Sequence, residues 1–362
     1  MDETVKSTLA IRPMARLPGP VSGPGDLAAP LMVAGRRDCR FAAAEVIARD
    51  ANGTRRRLLS AAALRADAAT DPRVADLLAR IERPRAAIAG LSFDRPRIMG
   101  IVNVTPDSFA DGGRYFDSAV AVDHALRLEA EGADILDIGG ESTRPGAGAI
   151  DVEEECRRVL PVINGLVRQA RVPLSIDTRN SEVMARAAAA GVRLINDVSA
   201  LRHDPQSPAT AAGTGLPLVL MHAQGDPRTM QDAPHYDDVA LDVYDFFAER
   251  VAASEAAGIP ASRVILDPGI GFGKTLAHNL ELLSALSLLH GLGCVLMLGA
   301  SRKSFIGHLT GAPPSERLAG SLAAALAGIA QGVEMLRVHD VAATRQALAV
   351  WQGLGQDFGE AQ

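Results

Sequence analysis

The architecture is most readily inferred from Arg97-Ile-Met-Gly-Ile-Val-Asn-Val-Thr-Pro-Asp-Ser-Phe-Ala-Asp-Gly-Gly113. Residues 98–104 are an apolar run rich in β-branched side chains, and Thr105 and Pro106 break it into a polar loop that ends in glycine. Such a run predicts a buried strand, and the loop that follows places polar groups at the strand's C-terminal end.

The same alternation of an apolar run and a helical pattern occurs seven more times. We predict strands at 98–104, 134–138, 173–177, 193–197, 217–221, 263–267, 294–298 and 334–338. Helices are predicted near 117–131, 151–170, 180–190, 205–213, 236–257, 276–290, 315–331 and 341–352. Eight such units indicate a (β/α)8 TIM barrel over residues 97–354. A doubly wound sheet is the alternative, but no GxGxxG follows the first strand.

Residues 1–96 are predicted to be an N-terminal accessory segment of unknown role, and residues 355–362 a C-terminal tail. Five prolines among the first 30 residues predict an irregular lead-in. Strands are predicted around 31–34 and 41–48 and a helix over 71–83. We interpret the arginine run 55–57 as a solvated turn rather than an anion or partner site. The segment is expected to pack against the barrel, with a separate interaction module as the alternative.

Charge and composition exclude several classes of function. Residues 1–96 carry 16 Lys and Arg against 11 Asp and Glu, whereas the remainder carries 21 against 32, which argues against a nucleic-acid surface on the acidic main body. Three scattered cysteines without a CxxC indicate neither a disulfide framework nor structural zinc. No apolar run approaches the ~20 residues of a membrane span, and no signal-peptide core is present. We therefore expect a cytoplasmic protein that binds neither nucleic acid nor membrane.

Polar residues follow every predicted barrel strand, where this fold carries its active sites. In chain order they are Asn103 and Asp107, Gly140-Glu-Ser-Thr-Arg-Pro-Gly146, Asp177, Asn196 and Asp197, His222, Asp267-Pro-Gly-Ile-Gly-Phe-Gly-Lys274, Ser301-Arg-Lys-Ser304, and Arg337-Val-His339. Any one of them could be a structural cap. Eight polar strand ends at one rim predict a site.

The rim contains two chemical sets. Asp177, Asn196 and Asp267 can hydrogen-bond a flat polar heterocycle, because a carboxylate pairs with the N–H groups of a guanidine-like edge. The cationic set is Arg144, Arg302, Lys303, Arg337 and His339. With the neutral oxygen of Asn103, this set fits a pyrophosphate and a Mg²⁺ ion that keeps most of its waters. A salt-bridge network with nearby acids is the alternative for the basic residues.

Two familiar motifs fail. Gly269-Ile-Gly-Phe-Gly-Lys-Thr275 looks like the end of a phosphate-binding loop, but Pro268 stands where its first glycine would be needed. No G-x-S-x-G elbow is present, so a covalent enzyme intermediate is not expected.

Taken together, the motifs NVTPDSFADGG, GGESTRPGA, SIDT, IND, LMHAQGDPRTMQ, DPGIGFGK, ASRKSFIG and RVHD closely resemble the dihydropteroate synthases over roughly 70% of the chain. That resemblance implies condensation of 6-hydroxymethyl-7,8-dihydropterin pyrophosphate with 4-aminobenzoate, a step of folate synthesis that sulfonamides inhibit. It also implies a homodimer. The rivals are a pterin-binding methyltransferase barrel, which needs no pyrophosphate site, and a non-catalytic barrel.

The resemblance also implies roles for individual residues. Asp177, Asn196, Asp267 and Lys303 would hold the pterin, with Met221 and Arg337 near its faces. Asn103, Arg337 and His339 would hold the pyrophosphate, and Asn103 would also bind Mg²⁺. Thr143, Arg144, Pro145, Phe272, Lys303 and Ser304 would form the aminobenzoate pocket, with Phe109 and Asp111 closing over the site. Lys303, Asp267, Asp177, Asp111 and Arg337 are expected to be the catalytic residues.

Overall fold

The computed structural model describes residues 7–17, 30–104, 118–141, 150–225 and 229–354. Its N-terminal part is a small antiparallel sheet with two helices. The strands are β1 (Thr8–Leu17), β2 (Leu31–Met32), β3 (Arg40–Asp50) and β4 (Gly53–Ser60), followed by α1 (Ala61–Ala68) and α2 (Pro72–Glu82). The central strand is β3, which pairs with β1 on one edge and with β2 and β4 on the other.

The main body is a closed barrel of eight parallel strands. In order around the barrel they are β5 (Arg97–Asn103), β6 (Ile135–Gly139), β7 (Leu174–Asp177), β8 (Leu194–Asp197), β9 (Leu218–Met221), β10 (Val264–Asp267), β11 (Val295–Leu298) and β12 (Met335–Val338). β12 pairs with β5 and closes the ring. The predicted (β/α)8 barrel is confirmed, and each predicted strand agrees with the observed one to within one residue at either end.

Helices surround the barrel. Those in the described residues are α3 (Ser118–Ala130), α4 (Val152–Leu166), α5 (Ser181–Ala190), α6 (Ser207–Thr214), α7 (Val239–Ala256), α8 (Leu276–Ser284), α9 (Ser304–Thr310), α10 (Leu318–Ala330) and α11 (Val341–Gly353). The single helix predicted over 276–290 is wrong in its second half. There α8 ends at Ser284, and a 3-10 helix, Leu286–Leu292, takes over.

The barrel strands are apolar on both faces because both faces are buried. Successive side chains of a strand alternate between faces. One set fills the barrel interior and includes Met99, Ile135, Leu194, Val219, Ile265, Val295, Met297 and Met335. The other set packs beneath the helices and includes Leu136, Ile176, Leu220, Leu266 and Leu298. This arrangement explains why the strands read as continuous apolar runs.

The N-terminal sheet has its own small core and also packs on the barrel. Ile11, Phe41, Leu64, Leu77 and Ile81 belong to that small core. Ala10 and Ile47, by contrast, belong to the helix-facing core of the barrel. Further along, Ile88 and Phe93 join the barrel-interior cluster. The predicted packing of this segment against the barrel is therefore observed.

Two expectations for the N-terminal part are wrong. Residues 8–17, expected to be an irregular lead-in, form β1, because its pairing with β3 and its contact with the barrel outweigh the proline at position 13. Residues 55–57, expected to be a turn, lie within β4. The edge strand β4 is exposed over most of its length, so its sequence carries no apolar alternation to reveal it.

Candidate active site

Inward-facing polar side chains gather at the C-terminal ends of the barrel strands. On several strands a polar residue stands two positions beyond an interior apolar one, so both point into the barrel. These polar residues are Asp137 after Ile135, Asn196 after Leu194, Asp267 after Ile265 and Arg337 after Met335. The alternation therefore turns the top layer of an apolar interior into a polar floor for the barrel mouth.

Arg337 is at the centre of this layer. Its Nε donates to Asp137 Oδ2 at 2.7 Å, and one of its terminal nitrogens donates to Asp177 Oδ2 at 2.7 Å. Asn196 Nδ2 donates to the same Asp137 oxygen at 2.9 Å, while the other oxygen, Oδ1, has no partner among the described residues. Burial beside Asp137 raises the pKa of Asp177, although Arg337 opposes the shift. Four side chains from four strands thus form one connected donor and acceptor surface.

Asp267 begins a tightly folded loop. Its Oδ1 accepts the backbone N–H of Gly269 at 2.8 Å, and burial raises its pKa against the opposing effect of Lys303. Gly269 has φ of +67°, and a Cβ there would lie 1.9 Å from the carbonyl oxygen of His222. Only glycine fits this position. The loop carries Phe272 to a point where its ring centroid is 3.9 Å from Lys303 Nζ.

Lys274 ends that loop with its amino group buried. Its Nζ lies 3.0 Å from the carbonyl oxygen of Gly269, 3.1 Å from that of Phe272 and 2.9 Å from His222 Nδ1. The two carbonyl oxygens accept hydrogen bonds from the lysine nitrogen, and the imidazole nitrogen is its third polar neighbour. Burial lowers the pKa of Lys274 to about 7. The lysine holds the loop from below, which fixes the backbone that carries Phe272.

The basic residues of the predicted cationic set have different surroundings. His339 Nδ1 lies 3.0 Å from Ser301 Oγ, and burial together with Arg337 lowers its pKa to about 4. A pKa of about 4 makes His339 a neutral imidazole near pH 7, unlike the arginines of the same set. Arg302 forms a two-pronged ion pair with Asp340, with Nε 2.9 Å from Oδ2. For Arg302 the salt-bridge alternative is correct.

Some of the remaining predicted site residues lie within the described part of the chain, and the others lie outside it. Asn103 ends β5, Met221 ends β9 with its side chain buried, and Ser304 begins α9 and is exposed. Asp197 turns back to its own loop, where its carboxylate accepts the N–H groups of Ser199 and Leu201. Phe109, Asp111, Thr143, Arg144 and Pro145 lie outside the described residues, as does Asp107.

Two residues of the site were missed from the sequence. Asp137 is fully buried, and its signal was a carboxylate inside the apolar strand Ile135–Gly139. A charge in a strand buried on both faces must point toward a polar partner. Lys274 was included in the rim stretch after β10 and in a failed phosphate-loop motif but was given no role, and its contacts with three polar atoms depend on the folded loop.

Three further questions concern the described residues: whether they hold a metal cluster, a membrane-spanning helix or a cavity away from the rim. Among residues 7–17, 30–104, 118–141, 150–225 and 229–354, no group of three or more His, Cys, Asp or Glu is placed to hold a metal ion. Over the same residues no helix has the length and apolar character needed to cross a membrane. A cavity of about 600 Å³ lies near Leu174, Arg193 and Pro217 at the opposite end of the barrel.

Comparison with known proteins gives one consistent result. The family model for pterin binding enzymes matches residues 99–339. The chain is 48% identical over 260 residues to the dihydropteroate synthase of Escherichia coli K12, covering 72% of this chain and 92% of the relative. It is 50% identical over 271 residues to that of Neisseria meningitidis serogroup B, covering 73% and 95%.

Solved structures agree. The Xanthomonas albilineans dihydropteroate synthase with 4-aminobenzoic acid has a TM-score of 0.70 and 55% identity, covering 75% of this chain and 98% of that one. The same enzyme in complex with 7,8-dihydropteroate has a TM-score of 0.68 and 51% identity, covering 75% and 98%. The Yersinia pestis dihydropteroate synthase with a sulfonamide drug complex has a TM-score of 0.71 and 45% identity, covering 74% and 98%.

Proposed function

The chain belongs to the dihydropteroate synthases, a family of pterin-binding enzymes, and on that basis we propose how its barrel mouth works. It is a transferase that condenses 6-hydroxymethyl-7,8-dihydropterin pyrophosphate with 4-aminobenzoate, giving 7,8-dihydropteroate and pyrophosphate for folate synthesis. The observation that carries the proposed site is the connected surface of Asp137, Asp177, Asn196 and Arg337 on the barrel axis.

In our proposal the pterin lies on this polar floor. Asp177, Asn196 and Asp267 present two carboxylates and an amide from three strands, which complement the N–H and amino groups of a guanidine-like ring edge. The buried side chain of Met221 and the guanidinium of Arg337 flank the ring. Lys303, above Phe272, donates from the rim. Asp137 is added to this set because it shares one oxygen between Arg337 and Asn196.

The pyrophosphate is assigned to Arg337, His339 and Asn103. As a neutral imidazole that contacts Ser301 through Nδ1, His339 can donate from Nε2 to a phosphate oxygen. A carboxamide oxygen at the end of β5 suits a Mg²⁺ ion that keeps several waters and needs only one or two protein ligands. Bound there, Mg²⁺ would neutralise charge on the leaving group. The residues present therefore fit the ion, with Asn103 as the proposed ligand.

The aminobenzoate is assigned to the outer rim. Phe272 and Lys303 are in contact, and Ser304, which follows Lys303 in the sequence, is exposed. The second loop, with Thr143, Arg144 and Pro145, would complete this pocket, and Phe109 and Asp111 of the first loop would close over it. Because Phe272 is anchored from below by Lys274, the aromatic wall is preorganised.

The chemistry we propose is a dissociative substitution without a covalent enzyme intermediate. Departure of pyrophosphate leaves a cation conjugated to the pterin. Arg337 and the donor from His339 stabilise the charge that develops on the leaving group, and Asp111 balances the cation. The weak aniline nucleophile then depends on positioning beside Phe272 and Lys303.

We also propose a homodimer and a cytoplasmic location. Leu280, Leu309 and Leu318 are exposed on α8, α9 and α10, and α8 contacts both of the other helices, so we assign the contact with a second copy to these helices. Cys39, Cys156 and Cys294 are free and buried, as is usual in a reducing compartment.

The test is pyrophosphate release by the purified protein with the dihydropterin pyrophosphate and Mg²⁺, with and without 4-aminobenzoate. We expect pyrophosphate release to require 4-aminobenzoate and to be inhibited competitively by a sulfonamide. In a folded protein, Lys303→Ala or Asp267→Ala should abolish it. Tight pterin binding without release would refute the enzymatic assignment. Near-normal turnover by either variant would refute the assigned residues.

A further inference from the structure

The N-terminal sheet lies outside the part of this chain that matches the family model. The family match begins at residue 99, and the solved relatives are already matched over 98% of their own length. Most of β1 to α2 therefore has no counterpart in them. We propose that this sheet is a positioning element for the aminobenzoate side of the active site, acting through Arg49 and Arg56. This inference rests on the function proposed above.

Both arginines reach from the sheet to the first turns of α7. The guanidinium of Arg49 bridges two carboxylates, with 2.6 Å to Asp242 Oδ1 and 2.5 Å to Asp245 Oδ2. Arg56 donates to Asp238 Oδ2 at 2.5 Å. The side chains of Arg49 and Asp245 are each 17% exposed, so solvent screens this pair less than an ordinary surface pair, whereas Arg56 is 39% exposed. The sheet thus holds three carboxylates on one short stretch of helix.

The same carboxylates organise the chain where it enters α7. Asp238 is the N-cap, and its Oδ1 accepts the backbone N–H of Leu241 at 3.1 Å. Asp242 Oδ2 accepts the backbone N–H groups of Asp237 at 3.0 Å and Asp238 at 3.3 Å. Each of these two carboxylates gives one oxygen to the helix start and the other to an arginine of the sheet. Removing the arginines therefore frees the groups that fix the helix start.

The residues just before α7 contact the active-site loop. Tyr236 donates its hydroxyl to the carbonyl of Gly273 at 2.7 Å, and Gln231 Nε2 donates to the carbonyl of Gly271 at 2.6 Å. These two carbonyls are on either side of Phe272, the aromatic wall of the proposed aminobenzoate pocket. The path from sheet to pocket therefore consists of the ion pairs, the helix start and the Tyr236 hydrogen bond, and Gln231 holds the other side of the loop independently.

A sheet that only stabilises the barrel would behave differently. Loss of its ion pairs would lower the melting temperature and leave the Michaelis constants unchanged. A positioning role instead changes the fit of one substrate, because the carbonyls beside Phe272 shift while the pterin floor on the barrel axis does not. The separate Michaelis constants of the two substrates therefore distinguish the two roles.

The experiment uses the full-length enzyme and the variant with both Arg49→Met and Arg56→Met. We expect the KM for 4-aminobenzoate to rise about fivefold, equivalent to about 1 kcal/mol, while the KM for the pterin substrate stays within twofold. The matched control carries Arg55→Met and Arg57→Met on β4, where the ion-pair partners are Asp50 and Asp67 within the N-terminal part itself. That control should match the wild type in both constants.

Tyr236→Phe tests the last link without touching the sheet. It should raise the KM for 4-aminobenzoate in the same way, and adding it to the double arginine variant should give less than the product of the two effects. If the double variant folds poorly, Arg49→Lys, which cannot bridge both carboxylates, should show an intermediate KM. Unchanged constants in a folded double variant would overturn the inference. Lack of aminobenzoate-dependent release by the wild type would instead overturn the proposed function.

Discussion

Asp137→Asn is the substitution that examines the proposed pterin floor most directly. The change keeps the shape of a fully buried side chain but removes its charge. In the wild type a single oxygen of Asp137 accepts from Arg337 at 2.7 Å and from Asn196 at 2.9 Å. The neutral amide of asparagine retains one acceptor oxygen but carries no charge. Its NH₂ group cannot accept a hydrogen bond from Arg337 or Asn196 if it faces them. Arg337 then keeps only Asp177 as a charged partner.

The expected loss follows from the bonds that change. A hydrogen bond to a charged group contributes about 1.5–3 kcal/mol, and the variant loses roughly one of them. Since about 1.4 kcal/mol corresponds to a factor of ten, kcat/KM for the pterin substrate should fall roughly 10- to 150-fold. The assay is initial-rate pyrophosphate release at saturating 4-aminobenzoate, with a thermal melt of the same sample to show that the barrel is folded.

Ser175→Ala is the matched control. Ser175 is directly opposite Asp137 on the neighbouring strand β7, it is equally buried, and its hydroxyl has no partner among the described residues. Its loss should leave kcat/KM within twofold of the wild type. A folded Asp137→Asn enzyme with wild-type kcat/KM would show that Arg337 is positioned without this carboxylate, and the reasoning about the pterin floor would be wrong.

Two further predictions concern the loop that carries Phe272. Gly269→Ala should destabilise the protein by more than about 2 kcal/mol in urea unfolding, because the new Cβ would lie 1.9 Å from a backbone oxygen. An unchanged urea midpoint would show that the loop does not need glycine at this position. Burial lowers the pKa of Lys274 to about 7. Between pH 7 and about pH 10 the unfolded chain therefore holds a proton at this lysine that the folded protein lacks. The free energy of unfolding consequently rises with pH over this window. Relative to Lys274→Met, the wild type should therefore gain about 1.4 kcal/mol per pH unit in that window, and a flat or falling difference between their urea midpoints would refute this account.

Local sequence was sufficient to predict the barrel and the location of its rim. Strands buried on both faces must be apolar throughout, and the chain must break that pattern where each strand ends. The positions of β5 to β12 and the polar ends at Asp177, Asn196, Asp267 and Arg337 were therefore available from periodicity. Where that signal is weak, as in the exposed edge strand β4, sequence reasoning failed.

Which polar groups meet depends on the folded chain. Arg337 pairs with Asp137 and Asp177, which are 200 and 160 positions away in the chain, because the closed barrel lets an inward-facing side chain of β12 meet those of β6 and β7. Arg302 meets Asp340 because the two residues follow the neighbouring strands β11 and β12. Packing of the N-terminal sheet on the barrel places Arg49 where it bridges two acids of α7. Periodicity is a property of a few neighbouring residues, whereas these pairings depend on how distant segments pack, and no local pattern encodes that.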